Sequence, residues 1–346
     1  MVLALDPDVP PYVADIRAQP QALETLLTAG LPAAAQTLLA DLGRFDRVVL
    51  TGMGSSLHGM YPTFLRLAAA GHAVWCEDTA ELLGYQRGLT SGNTLMWITS
   101  QSGESAEVIE LMQRLPKHGG PTVLAATNDL DSTLAAAASA VMPLLSGPEN
   151  TVGTRSYLNT LALGALAAAA ALGEPVEREL YSAPEQIDRY LAGWDDELER
   201  ISAEVPDSSM FVLGRGSSLG SARTAALIIK EAARRAVEGM SVPQFRHGPL
   251  EMADRDLTVL IFAGQDTERA LNEQMRTDLG ATGARCVWVD TDATLKPCIV
   301  TPMLSRRDSR SLAEIVPMQL LTVVLAGRMG QEPGRFRQIG KITRTL

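Results

Sequence analysis

One short pattern occurs twice in this chain. "VVLTGMGSSLHG" at 48–59 and "FVLGRGSSLGSA" at 211–222 each lead an apolar, β-rich run through a Gly-Ser-Ser turn into a helical pattern. Repetition on this scale restricts the chain to two similar modules. Within them, strands and helices alternate. "RVVLTG" at 47–52, "HAVWCE" at 72–77, "TLMWITS" at 94–100 and "PTVLAAT" at 121–127 read as buried strands. Between them, "SSLHGMYPTFLRLAAAG" and "SAEVIELMQRL" carry apolar residues at helical spacing, with Val108, Met112 and Leu115 on one face. Such alternation predicts an α/β protein whose parallel sheets are covered on both faces. "TVLIFAGQD" at 258–266 takes the place in the second copy that "TLMWITSQS" holds in the first, and the polar helical stretch "SAPEQIDRYLAGWDDELERISAEV" joins the copies. The expected organisation is a helical segment over 1–40, a first domain over 41–175, a helical linker over 176–206, a second domain over 207–330 and a tail over 331–346.

Composition excludes several classes of function. A net charge of −10 over 346 residues argues against a nucleic-acid or anionic-membrane partner, since either needs a basic face. An anionic ligand must then be held by a local site. Cys76, Cys286 and Cys298 are odd in number and widely spaced, matching neither a disulfide framework nor a zinc motif, which points to a reducing cytoplasm. His58, His72 and His118 are isolated, so no metal or other cofactor is expected. The N-terminal "MVLALDPDVPPYV" lacks the basic and long apolar regions of a signal peptide. "LNTLALGALAAAAALG" at 158–173 is short and rich in small residues, and reads as a buried helix rather than a membrane span.

Chemistry concentrates at "ITSQSGESAEVIE", residues 98–110, where a strand runs through four polar side chains into a helix. A helix N-terminus presents unpaired N–H groups and partial positive charge. Ser100, Gln101, Ser102 and Ser105 add hydrogen-bonding groups without bulk, and Gly103 admits close approach of the backbone. A phosphate suits such a cradle without any Arg or Lys. Gly54, Ser55 and Ser56 bring a second Gly/Ser turn to the same sheet edge. A single serine there is ordinarily a helix N-cap; two clusters at strand C-termini of one sheet favour a ligand site. The second copy has Ala263, Gly264 and Gln265 instead, so only the first copy is equipped for an anion.

With these motifs in view, "GMGSS…ITSQSGES" resembles the sugar isomerase (SIS) domain, whose serine-rich strand ends hold a phosphosugar. "KEAARRAVEGMSVPQFRHGPLE" at 230–251 and the closing "QIGKITRTL" resemble the isomerase domain of glucosamine-6-phosphate synthase and its deaminase and deglycase relatives. The resemblance runs from about "DIRAQP" to the C-terminus. It implies two flavodoxin-like, three-layer α/β/α units, each with a mostly parallel five-stranded sheet. It implies catalytic roles for Glu231 (C1/C2 proton transfer), His247 (ring opening) and Lys341 (near the carbonyl). A carboxylate and a His are suited to those proton transfers, and a Lys can polarise a carbonyl or form an imine. On bland readings Glu231 is solvated helix face and Lys341 an ordinary tail lysine, whereas "RHGP" is too polar and constrained for a core histidine. The resemblance also implies a homodimer in which His247 reaches a neighbour's pocket.

Departures from the family pattern narrow the expectation. Ile228 stands three residues before Glu231, where relatives often have an assisting Lys. In "ENTVGTRSY", Arg155 replaces a Lys and Glu149 lies one residue nearer. No glutaminase segment precedes the first unit, which argues against glutamine-dependent amination. The expected activity is isomerisation or deamination of an amino-hexose 6-phosphate such as glucosamine 6-phosphate, without a cofactor. The alternatives are cleavage of a fructosamine-type 6-phosphate adduct, or a non-catalytic phosphosugar sensor. The tail "EPGRFRQIGKITRTL" is expected to lie over the pocket on Phe336, Ile339 and Ile342 as anchors.

Overall fold

A computed structural model describes residues 9–116, 118–149 and 151–345. The first eight residues of the N-terminal segment and the last residue of the tail lie outside the described residues. The chain forms two compact units. The first comprises Gln21–Glu149, Arg155–Leu180 and the tail from Arg337 onward. The second comprises Tyr181–Phe336 with the described parts of the 1–20 and 150–154 segments.

Five parallel strands build the first unit: β1 Arg47–Gly52, β2 Val74–Asp78, β3 Thr94–Thr99, β4 Thr122–Thr127 and β5 Ala140–Pro143, in the order β2-β1-β3-β4-β5. The second unit has β6 Ser209–Gly214, β7 Val237–Ser241, β8 Leu257–Phe262, β9 Arg285–Asp290 and β10 Cys298–Val300, in the order β10-β9-β8-β6-β7. Counted within each unit both orders are 2-1-3-4-5, the flavodoxin arrangement, whose switch point lies between the first and third strands. Every strand pair is parallel.

Strands covered on both faces need unbroken apolar runs, and β3 and β8 are buried along their whole length. In the first unit Val49, Met96, Ile98, Val123 and Ala125 from the sheet pack with Leu82, Val108, Leu111 and Leu134 from its helices. Phe211, Ile261, Trp288, Phe245 and Met275 do the same in the second. Burial of each large side chain is worth about 1.5–3 kcal/mol.

The Ala/Leu-rich run forms the helix Arg155–Leu172, buried through Ala169. Its small residues admit close packing: a Cβ on Gly164 would lie 2.2 Å from the Thr63 hydroxyl. Among the described residues one helix, Arg307–Arg328, is long and apolar enough to cross a membrane, and 78% of its apolar window is buried inside the protein. It packs along the helix Ser218–Ala233 as a core element of the second unit. The helical run after β1 forms two helices, Ser55–Gly59 and Tyr61–Ala69, with Pro62 in the first turn of the second.

Candidate active site

In the first unit β1 and β3 are adjacent, with Gly52 opposite Thr99, so both polar turns emerge from one sheet edge at the switch point. A Cβ on Gly52 would sit 2.7 Å from the Thr99 carbonyl oxygen, so the close approach of these strand ends requires glycine. Gly54 opens the helix Ser55–Gly59 at φ 51°. Beyond β3, Gly103 at φ 64° places its Cα where a Cβ would strike the Ser132 hydroxyl at 2.2 Å. Both glycines occupy backbone that side chains avoid.

The polar side chains divide into two sets. Ser100 and Ser102 shape the loop from within: Ser100 Oγ accepts from Gly103 N at 3.1 Å, and Ser102 Oγ from Glu104 N at 3.1 Å. The Gln101 carbonyl accepts from Asn128 N at 3.0 Å, tying the loop to the end of β4. Ser55, Ser56, Ser105 and Gln101 are half-buried, and their side chains make no hydrogen bond among the described residues. Ser105 stands at the N-cap of the helix Ala106–Arg114, yet its hydroxyl does not cap that helix. A serine serving only as a cap would bond the N2 or N3 amide.

The tail meets the same loop. Thr343 O accepts the Ala106 N–H at 2.9 Å, taking the first amide of the helix that Ser105 precedes. Lys341 Nζ donates to Glu149 Oε2 at 2.9 Å. The Glu149 side chain is fully buried and also accepts from Ser156 Oγ at 2.6 Å and Ser156 N at 3.3 Å, at the N-terminus of the helix Arg155–Leu172. Glu104 lies below the usual carboxylate range because the Thr133 backbone N–H binds it, with Arg344 of the tail adding its charge. Of the three expected anchors, Phe336 and Ile342 are half-buried, but Ile339 is 56% exposed and anchors nothing. The departure at Arg155 has a local explanation: its guanidinium donates to Pro148 O and so supports the turn that carries Glu149. Sequence reading singled out Glu149 only as a displaced residue. An acid just ahead of a buried helix N-terminus was the available signal.

Glu231 and His247 belong to the second unit. Glu231 is half-buried in the last turn of Ser218–Ala233, whose C-cap Arg234 is left-handed at φ 53°. His247 ends the five-residue helix Val242–Arg246 and is exposed, in the turn its sequence suggested. Ile228 is buried, so its position supplies core packing and no cation.

The equivalent Gly-Ser-Ser turn of the second unit is filled from within. A Cβ on Gly216 would lie 2.2 Å from Glu268 Oε1, and Glu268 Oε2 accepts from Gln265 N at 3.2 Å. Ser218 Oγ donates to Glu314 Oε1 at 2.6 Å. Burial pushes the Glu314 carboxyl up to about 7, against the lowering effect of Ser218, Ser221 and Arg310. Among the described residues no group of three His, Cys, Asp or Glu side chains is disposed to hold a metal ion.

The sequence profile of the SIS domain matches residues 44–171 and 206–294, which is more than half of the chain. The chain belongs to the SIS domain family. It is 27% identical to a glutamine–fructose-6-phosphate aminotransferase (isomerizing) of Thermococcus kodakarensis, over 94% of this chain and 56% of that protein. It thus spans about half the length of that relative. Solved structures share its fold. The C-terminal domain of a glucosamine-fructose-6-phosphate aminotransferase from Francisella tularensis superposes with TM-score 0.81 at 19% identity, covering 96% of this chain and 99% of that one. A tagatose-6-phosphate ketose/aldose isomerase from Escherichia coli gives 0.80 at 20% identity over 93% and 94% of the two chains. A glucosamine-6-phosphate deaminase from Thermotoga maritima gives 0.75 at 19% over 96% and 99%.

Proposed function

We propose that this SIS-family chain is a phosphosugar enzyme acting on an amino-hexose 6-phosphate, by isomerisation or deamination through ring opening and C1/C2 proton transfer. The observation that carries the reading is Ser105: an N-cap serine whose hydroxyl caps nothing, beside Ser55, Ser56 and Gln101 with equally unused polar groups. A phosphate at this switch point would take up all four. Relatives named for fructose-6-phosphate amination, ketose/aldose isomerisation and glucosamine-6-phosphate deamination point to the same substrate class.

In this reading Glu231 moves the proton, His247 assists ring opening, and Lys341 polarises the carbonyl. The ion pair with Glu149 holds Lys341 Nζ in one place, as polarisation of a carbonyl requires, and imine formation is the alternative role. Buried Ile228 favours keeping a second reading, cleavage of a fructosamine-type 6-phosphate adduct, since the cation that often accompanies the glutamate in relatives is missing. Incubation with a panel of hexosamine 6-phosphates and fructosamine 6-phosphate adducts, scored for ammonia, free amine and aldose–ketose interconversion, separates the readings. Turnover of none of them would leave phosphosugar sensing.

His247 is exposed, as a residue serving a neighbouring subunit must be before assembly. We therefore expect a homodimer with shared sites. Mixing inactive Glu231→Gln and His247→Ala proteins under subunit exchange should restore part of the activity. No recovery in verified heterodimers would refute sharing.

A further inference from the structure

A fully buried carboxylate is costly unless every oxygen finds a partner. Glu149 meets that demand in an unequal way. Ser156 N and Oγ hold it at the start of the helix Arg155–Leu172, on a rigid core element. A further partner, Lys341 Nζ, comes from the tail, 192 residues along the chain. Lys341 keeps 21% of its side chain exposed, so the pair has one fixed, dry end and one end facing outward. Two residues further on, Thr343 O takes the Ala106 N–H beside Ser105. An ion pair and a backbone hydrogen bond thus fasten the same short stretch of an otherwise exposed tail.

We infer that Glu149 is a positioning residue for Lys341: it fixes the ammonium and holds the tail against the phosphate loop. The catalytic part of this inference rests on the proposed reaction; the holding of the tail does not. The helix N-terminus keeps the carboxylate in place, so the lysine is aimed by a rigid partner rather than by the tail's own backbone. In this scheme Glu149 acts through Lys341 rather than on the substrate. Its effect should fall on the rate and not on phosphosugar affinity.

The test uses the full chain with Glu149→Gln, Lys341→Met and the double variant. Glu149→Gln keeps the shape and the acceptor for Ser156 while removing the charge. Lys341→Met keeps the Ser156 contacts of Glu149 and removes only its ionic partner, and thermal melts of both single variants establish that they fold. Hydrogen exchange of the Ala106 amide reads tail docking without any substrate. It should rise about tenfold or more in either single variant and rise no further in the double, as expected of one coupled pair. On the substrate found by the panel, kcat should fall roughly 100-fold in Glu149→Gln, the scale for a misplaced group, with KM nearly constant. The double variant should be no slower than Lys341→Met alone. Unchanged Ala106 exchange in both single variants, or additive losses in kcat, would overturn the inference. If the wild-type protein turns over no phosphosugar, the proposed reaction fails and the exchange arm still decides whether Glu149 holds the tail.

Discussion

Two Gly-Ser-Ser turns sit at the same topological position of two similar sheets, and they have opposite interiors. In the first, Ser55, Ser56 and Ser105 present hydroxyls that no described group engages. In the second, Glu268 lies against Gly216 and Glu314 receives Ser218, so the protein's own carboxylates occupy the place an anion would take. A helix N-terminus attracts negative charge wherever it comes from. On the proposed function the same backbone device would serve a ligand in the first unit, while in the second it takes part in internal packing. What differs is whether an acidic side chain is within reach.

The comparison is most strongly tested at the tail, which approaches the first turn. Deleting residues 340–346, or Lys341→Ala, should lower kcat by about 10²–10⁴-fold, the range for loss of a group assisting proton movement. The fold should be retained, since the tail beyond Phe336 is largely exposed, but the thermal transition should fall because the buried Glu149 loses its ionic partner. Wild-type turnover after truncation would reduce Lys341 to a surface lysine.

Next in size is the contrast between the serines. Ser105→Ala should raise KM for the phosphosugar roughly 10- to 100-fold, the loss of one hydrogen bond to a charged group. Stability should change by less than about 0.5 kcal/mol, because the hydroxyl caps nothing. Ser217→Ala, at the place in the second Gly-Ser-Ser turn that Ser55 holds in the first, should leave KM alone. A destabilisation of about 1 kcal/mol with normal KM in Ser105→Ala would return that residue to simple capping.

A third effect concerns the filled turn. Glu314 has a folded-state value of about 7, above its ordinary value, so the native protein binds a proton that the unfolded chain releases. Native stability should therefore fall as pH rises from about 4.5 to about 7, by up to ~3 kcal/mol for this group. Glu314→Gln should flatten that slope and be more stable than wild type at pH 8. Denaturant titrations at pH 5 and pH 8 read it directly, and identical slopes in both proteins would show that Glu314 ionises freely.

The doubled architecture was legible because a covered parallel strand must be apolar throughout, as "TLMWIT" and "TVLIF" are. The strands β5, β7 and β10 were not read: they are short edge strands, and "VEGMS" has no apolar run. β9, "RCVWVD", carried an apolar signal that the repeat argument passed over. The serine turns were legible from residue type and position. The filling of the second turn was not, since Glu314 reaches Ser218 from 96 residues away. Glu149 was likewise hidden by distance, because only tertiary contact pairs it with Lys341. Ile339 failed as an anchor because an apolar residue in a tail carries no sign of which way it points.

The central claim is that phosphate recognition belongs to the first turn alone. A crystal structure of the protein with glucosamine 6-phosphate, or with inorganic phosphate alone, tests it most directly. The expected result is a phosphate bonded to the hydroxyls of Ser55, Ser56 and Ser105, with Glu268 still lying over Gly216. A phosphate at Gly216 with Glu268 displaced, and none on the first turn, would contradict the account.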